Sequence, residues 1–140
     1  GYLVGATPLI EPMLWKTRDS YNIDAISQLL GMAALEDQSW VDDNWQRVRD
    51  GRARLSRALT QLGFPVNPSE TNFLLVKVPA HCPLPANRLQ HHLKARGILV
   101  RYFDSPVLSD KLRITVGTEQ QNQRLIEVLQ ETLATANDAR

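Results

Sequence analysis

The apolar positions of this 140-residue chain change their period along its length. Tyr2, Leu3 and Val4 form a continuous apolar run between Gly1 and Gly5, the pattern of a short strand buried on both faces. Pro8 and Pro12 then predict a loop or short turn, and residues 13–22 keep no regular period. From Asn22, an acceptable helix N-cap, Ile26, Leu29, Leu30 and Ala33 recur at helical spacing and are expected to face inward. Asp37 to Leu62 reads as one long helix, with Val41, Trp45, Val48, Leu55, Leu59 and Leu62 on a single stripe. Arg52 interrupts that stripe and reads as a snorkelling side chain. Gly63 followed by Phe64 predicts a Schellman ending, a left-handed glycine with an apolar residue after it.

The second half alternates with period two as often as with the helical period. "TNFLLVKVP" (71–79) predicts a strand ended by Pro79. "LPANRLQHHLKARG" predicts a helix with Pro85 near its start, Gly97 just past its end, and Leu89 and Leu93 as core contacts. "ILVRYF" (98–103) and "KLRITV" (111–116) predict two more strands joined by the loop "DSPVLSD". Thr118 with Gln121 forms a capping box, so a last helix runs from about Glu119 to Ala134 with Leu125, Ile126, Leu129 and Leu133 inward, and "TANDAR" frays.

These elements predict an α/β protein whose later part is a small sheet with helices packed on one face. The run at 2–4 has no partner strand before residue 71. It is therefore expected to be an orphan strand of another sheet, in a chain that begins inside a larger protein. Composition adds exclusions. An apolar fraction of 43% and a charged fraction of 22% belong to a soluble globular class, and a formal charge of +1 offers no basic footprint for nucleic acid or an acidic membrane. No apolar run approaches the roughly 20 residues of a spanning helix. One cysteine, Cys82, leaves no intrachain disulfide and suits a reducing compartment such as the cytoplasm.

Candidate chemistry is sparse. Lys111, Arg113 and Thr115 share one face of their strand, and Arg101 lies between Val100 and Tyr102 in the strand before. If the two strands are antiparallel neighbours, Arg101 and Arg113 share the face away from the core. Two readings stay open at that point. The pair faces water on an uncovered sheet face, or it awaits a dianion that takes forked hydrogen bonds from both guanidiniums. His91 and His92 point about 100° apart on a helix and cannot serve one metal together. His81 and Cys82 have no second ligand pair nearby, and no phosphate-binding glycine loop or nucleophile elbow is present. Lys16, Lys77, Lys94 and Lys111 lie in no segment built to desolvate an amine. Trp15, Trp40 and Trp45 read as packing residues.

Taken in order, "GYLVG", "DSYNIDAISQLLGMAAL", "LGFPVNPSETNFLLVKV", "GILVRYF" and "LRITVGTEQQNQRLIEVL" resemble the C-terminal portion of histidinol-phosphate aminotransferases, fold-type-I pyridoxal-phosphate enzymes of class I/II. In that family a segment of the form Ser-Lys-x-x-Gly-Leu-Ala-Gly-Leu-Arg-x-Gly-Tyr carries the Schiff-base lysine and an arginine for the cofactor phosphate. This chain opens at the final Gly-Tyr, Gly1 and Tyr2. The resemblance implies that residues 1–36 end the large cofactor domain and the interdomain segment. Residues 37–140 would form the small domain with its long linking helix. It implies amino transfer between glutamate and imidazole-acetol phosphate, a phosphorylated amino-alcohol or amino-acid substrate, and a full-length homodimer with no nucleic-acid or membrane partner. It implies pyridoxal 5'-phosphate as cofactor, with no catalytic, cofactor or metal residue in this chain, which would be inactive alone. It also assigns Arg113, with Arg101 as its partner, to the anionic end of the substrate, and gives Asn72 a structural hydrogen-bonding role. A non-catalytic α/β binding or assembly module, an aromatic aminotransferase and a threonine-phosphate decarboxylase remain alternatives.

Overall fold

A computed structural model describes residues 4–16 and 23–137. The elements are α1 (Thr7–Lys16), α2 (Ala25–Glu36), α3 (Gln38–Gln61), β1 (Phe73–Lys77), α4 (Ala86–Ala95), β2 (Arg101–Tyr102), β3 (Lys111–Thr115) and α5 (Glu119–Asn137). They divide into two compact units, Gly1–Val41 and Asp42–Arg140. No helix among the described residues is long and apolar enough to cross a membrane.

Of the expected strand in the first unit, Tyr2 and Leu3 lie outside the described residues, and Val4 is exposed and irregular. The expected proline loop is a helix instead, and Met13 to Lys16 complete it. Pro8 sits in its first turn, where the missing N–H has no intrahelical acceptor to lose, and the amides of Leu9 and Ile10 both bond the Ala6 carbonyl, at 2.9 and 3.1 Å. Pro12 forgoes one interior bond. Helix α2 is capped by Asp24, two residues past Asn22. Its carboxylate accepts from the Ser27 amide at 2.9 Å and the Ser27 hydroxyl at 2.7 Å, and these bonds hold it below the usual carboxylate range. The apolar residues of α2 do not face inward: Ile26 is 71% and Leu29 69% exposed, and Leu30 and Ala33 are exposed as well.

The second unit contains the core. The sheet has order β1-β3-β2 with both pairings antiparallel. Leu74, Val76, Leu112 and Ile114 alternate onto one face and join Leu55 and Leu59 of α3, Leu89 and Leu93 of α4, and Leu125, Ile126, Val128 and Leu129 of α5. Each such side chain contributes about 1.5–3 kcal/mol of burial free energy, which is why this cluster organises the unit. Only the later part of the α3 stripe enters it; Trp45 remains exposed. Arg52 does not snorkel freely. Its guanidinium bonds Glu70 at 2.5 Å and the Thr71 carbonyl at 2.8 Å, tying α3 to the loop before β1.

Two helices end in the predicted way. Gly63 adopts φ +83°, with the Phe64 amide on the Leu59 carbonyl and the Gly63 amide on the Thr60 carbonyl. Gly97 adopts φ +78° with the same pair of bonds, from Ile98 to Leu93 and from Gly97 to Lys94. The second cap explains why β2 is shorter than the expected 98–103. Residues leaving that turn reach strand register only at Arg101, and Leu99 is exposed. The capping box of α5 is present, with Thr118 and Gln121 each accepting from the other's amide, at 3.3 and 2.9 Å. Helix α5 continues past Ala134 to Asn137, so the start of the stretch expected to fray is helical.

The two left-handed glycines make a matched test. Gly63→Ala and Gly97→Ala should each lower unfolding stability by about 1–2 kcal/mol from left-handed strain. Gly63→Ala should cost more, because its Cβ would meet His81 Cε1 at 2.7 Å whereas nothing lies within 4 Å at Gly97. Paired urea-denaturation curves measure the difference.

Candidate anion site

The face of the sheet opposite the core is built by the odd-numbered strand residues. Phe73, Leu75 and Lys77 come from β1, Lys111, Arg113 and Thr115 from β3, and Arg101 from β2. Burial of Leu112 and Ile114 on one side obliges Arg113 to point to the other. Arg101 and Arg113 are direct cross-strand partners, and Leu75 faces Arg113 from the other neighbour. The structure thus brings together the two residues the sequence singled out. Arg113 is half-buried and Arg101 exposed.

Four cations share this face, and they fall into two kinds. Lys77 and Lys111 are also cross-strand partners, and both reach Asp110, at 3.2 and 2.7 Å; Lys111 also donates to the Val107 carbonyl at 2.7 Å. These bonds, that from Lys111 first, hold the Asp110 carboxyl below its ordinary value. Arg101 and Arg113 have no such neighbour: among the described residues no carboxylate lies within 4.0 Å of either guanidinium. Arg113 instead lies over the rings of Phe73, at 5.2 Å from the centroid, and Phe103, at 5.7 Å, and Arg101 lies over Phe103 at 5.4 Å. Ring contact leaves the N–H edges available, so the pair can donate forked hydrogen bonds to a phosphate or carboxylate.

The other candidates stand apart. Asn72 acts through its backbone carbonyl, which accepts from Val116 at 2.9 Å, and its side chain is exposed. His91 bonds the Asn87 carbonyl at 2.7 Å. Cys82 is half-buried and its thiol is pushed up by burial. Lys16 and Lys94 are exposed. A cleft of about 600 Å³ between residues 98–100 and the start of α5 contains neither Arg101 nor Arg113. The residues missed in the sequence were Asp110, hidden in a loop, and the two phenylalanines. Phe73 has the parity of Leu75, a signal visible once the strands are paired, whereas Phe103 lies one residue past β2.

Comparison with known proteins identifies the family and the fold. The family model for aminotransferases of class I and II matches residues 1–129. Among curated relatives, a histidinol-phosphate aminotransferase of Microcystis aeruginosa is 42% identical over 135 residues, covering 96% of this chain and 38% of the relative. One of Nostoc sp. is 44% identical over 133 residues, covering 95% and 36%. The chain therefore spans little more than a third of the length of the relatives it matches. The fold coincides with that of the Clostridium acetobutylicum histidinol-phosphate aminotransferase, with TM-score 0.79, 17% identity, and coverage of 91% of this chain and 38% of that one. The Sinorhizobium meliloti enzyme, solved in complex with pyridoxal-5'-phosphate, gives 0.75, 23%, 91% and 35%.

Asp110 supplies a test of the charge partition. Its pKa is lowered on folding, so its stabilising contribution is complete above the unfolded carboxylate pKa of about 3.9 and is lost as pH falls through the depressed native value. A carboxyl-carbon NMR titration should place Asp110 below ordinary aspartates, and Lys111→Met should raise it more than Lys77→Met.

Proposed function

The chain belongs to the class I and II aminotransferase family, and from that premise we propose that the full-length protein transfers an amino group between glutamate and imidazole-acetol phosphate, with Arg113 and Arg101 receiving the phosphate. The observation that carries this reading is the register pairing of two guanidiniums with no carboxylate beside either among the described residues. The names of the relatives support the substrate.

Pyridoxal phosphate, the cofactor proposed for the whole protein, supplies an electron sink for the substrate amine. The described lysines do not fit its attachment. Lys77 and Lys111 are engaged by Asp110, and Lys16 and Lys94 are exposed to solvent rather than set in a pocket. Among the described residues, the contribution we assign is at the far end of the substrate. Arg113, held on the central strand, presents forked donors; Arg101 adds a second guanidinium beside it. Two fixed contacts to the phosphate set how far the amino end reaches, which is catalysis by positioning. We propose that the full-length protein is a homodimer, as the family resemblance implies.

In the full-length protein, Arg113→Ala should lower kcat/KM for histidinol phosphate by about 2–5 kcal/mol in barrier, roughly 30- to 5,000-fold. With histidinol, which lacks the phosphate, the same substitution should have little effect. Arg96→Ala, which removes a surface pair with Glu131, serves as the control. Unchanged efficiency towards histidinol phosphate in Arg113→Ala would end the assignment.

A further inference from the structure

Like charges on directly opposed strand residues repel, and the pairing of Arg101 with Arg113 places two guanidiniums in that position. The neighbouring lysines solve the same problem with a shared carboxylate, Asp110. The arginines share a ring instead. Phe103 lies 5.4 Å from the Arg101 guanidinium and 5.7 Å from that of Arg113. Phe73 flanks Arg113 from the other strand at 5.2 Å and stands diagonal to it, since its own partner is Thr115.

The difference between the two solutions is chemical. A carboxylate between the guanidiniums would occupy their N–H donors and cancel charge that an incoming anion needs. A ring attracts a cation through its negative π face, takes no hydrogen bond and carries no charge. Phe103 therefore offsets the repulsion in the empty site while the donors and both charges stay free. Phe103 lies one residue past the end of β2, and its ring reaches both guanidiniums from there.

Resting on the anion-site reading above, we propose that Phe103 is a positioning residue that holds Arg101 and Arg113 together, before any anion arrives, as a site for a phosphate-monoester dianion. Phe73 steadies Arg113 alone. The ring acts through the two arginines it faces.

The test uses the full-length holoenzyme, whose bound cofactor fills its own phosphate site, with inorganic phosphate as probe in titration calorimetry. Phe103→Leu, which keeps apolar bulk and removes the ring, should weaken phosphate binding roughly 3- to 30-fold, the range of one to two lost cation–π contacts. Phe103→Tyr restores the ring face and should bind within about twofold of the parent, a rescue that a merely space-filling role does not give. Phe73→Leu should weaken binding less than Phe103→Leu. Equal phosphate affinity in Phe103→Leu and the parent overturns the positioning role and leaves the arginine site standing. No phosphate binding by the parent, or none lost in Arg113→Ala, overturns the site and the proposal with it. Should Phe103→Leu not fold, the parent crystallised without phosphate decides: both guanidiniums within about 6 Å of the ring support the proposal, and splayed guanidiniums overturn it.

Discussion

The candidate site depends on a constraint of strand geometry: consecutive side chains of β3 cannot point the same way. Leu112 and Ile114 are drawn into the hydrocarbon core, at 2% and 4% exposure, and Arg113 between them is delivered to the opposite face without any contact of its own having to place it. The burial energy of two aliphatic residues thus orients one guanidinium. A slip of one residue in register would bury an ion and expose the core, so core packing and the placement of the two guanidiniums are protected by the same pairing.

Much of this was legible in the chain. The Schellman ending at Gly63, the capping box at Thr118 and the strands around Leu74 and Ile114 follow from local rules that involve few residues, and each is present. The guess that Arg101 and Arg113 share a face needed one tertiary assumption, antiparallel neighbours, and the register supplies it. The misreadings have physical causes as well. Pro8 and Pro12 looked like loop residues, yet a helix tolerates proline in its first turn and can give up one interior bond. β2 was overestimated because the apolar stretch Ile98–Val100 is indistinguishable in composition from strand, while the cap at Gly97 turns the backbone away from register.

Burial on α2 and the bonding of Arg52 were harder to foresee for a different reason. Periodicity marks which faces of a helix are apolar and says nothing of what meets them; on α2, Ile26 and Leu29 meet little among the described residues. Arg52 finds Glu70 and Thr71 eighteen and nineteen residues away, a pairing no local pattern reports. The exposed Glu70 carboxylate adds little to such a bond, whereas the carbonyl bond to a largely buried guanidinium is the more costly one to lose.

The open sheet face also carries a kinetic consequence. Lys77, Lys111, Arg101 and Arg113 set four positive charges against the one carboxylate of Asp110, in a chain whose formal net charge is only +1. Charges on these neighbouring strand residues act over about a Debye length, about 8 Å at physiological salt. For an anion that binds there as proposed, ionic strength would govern the rate of capture more than the residence time.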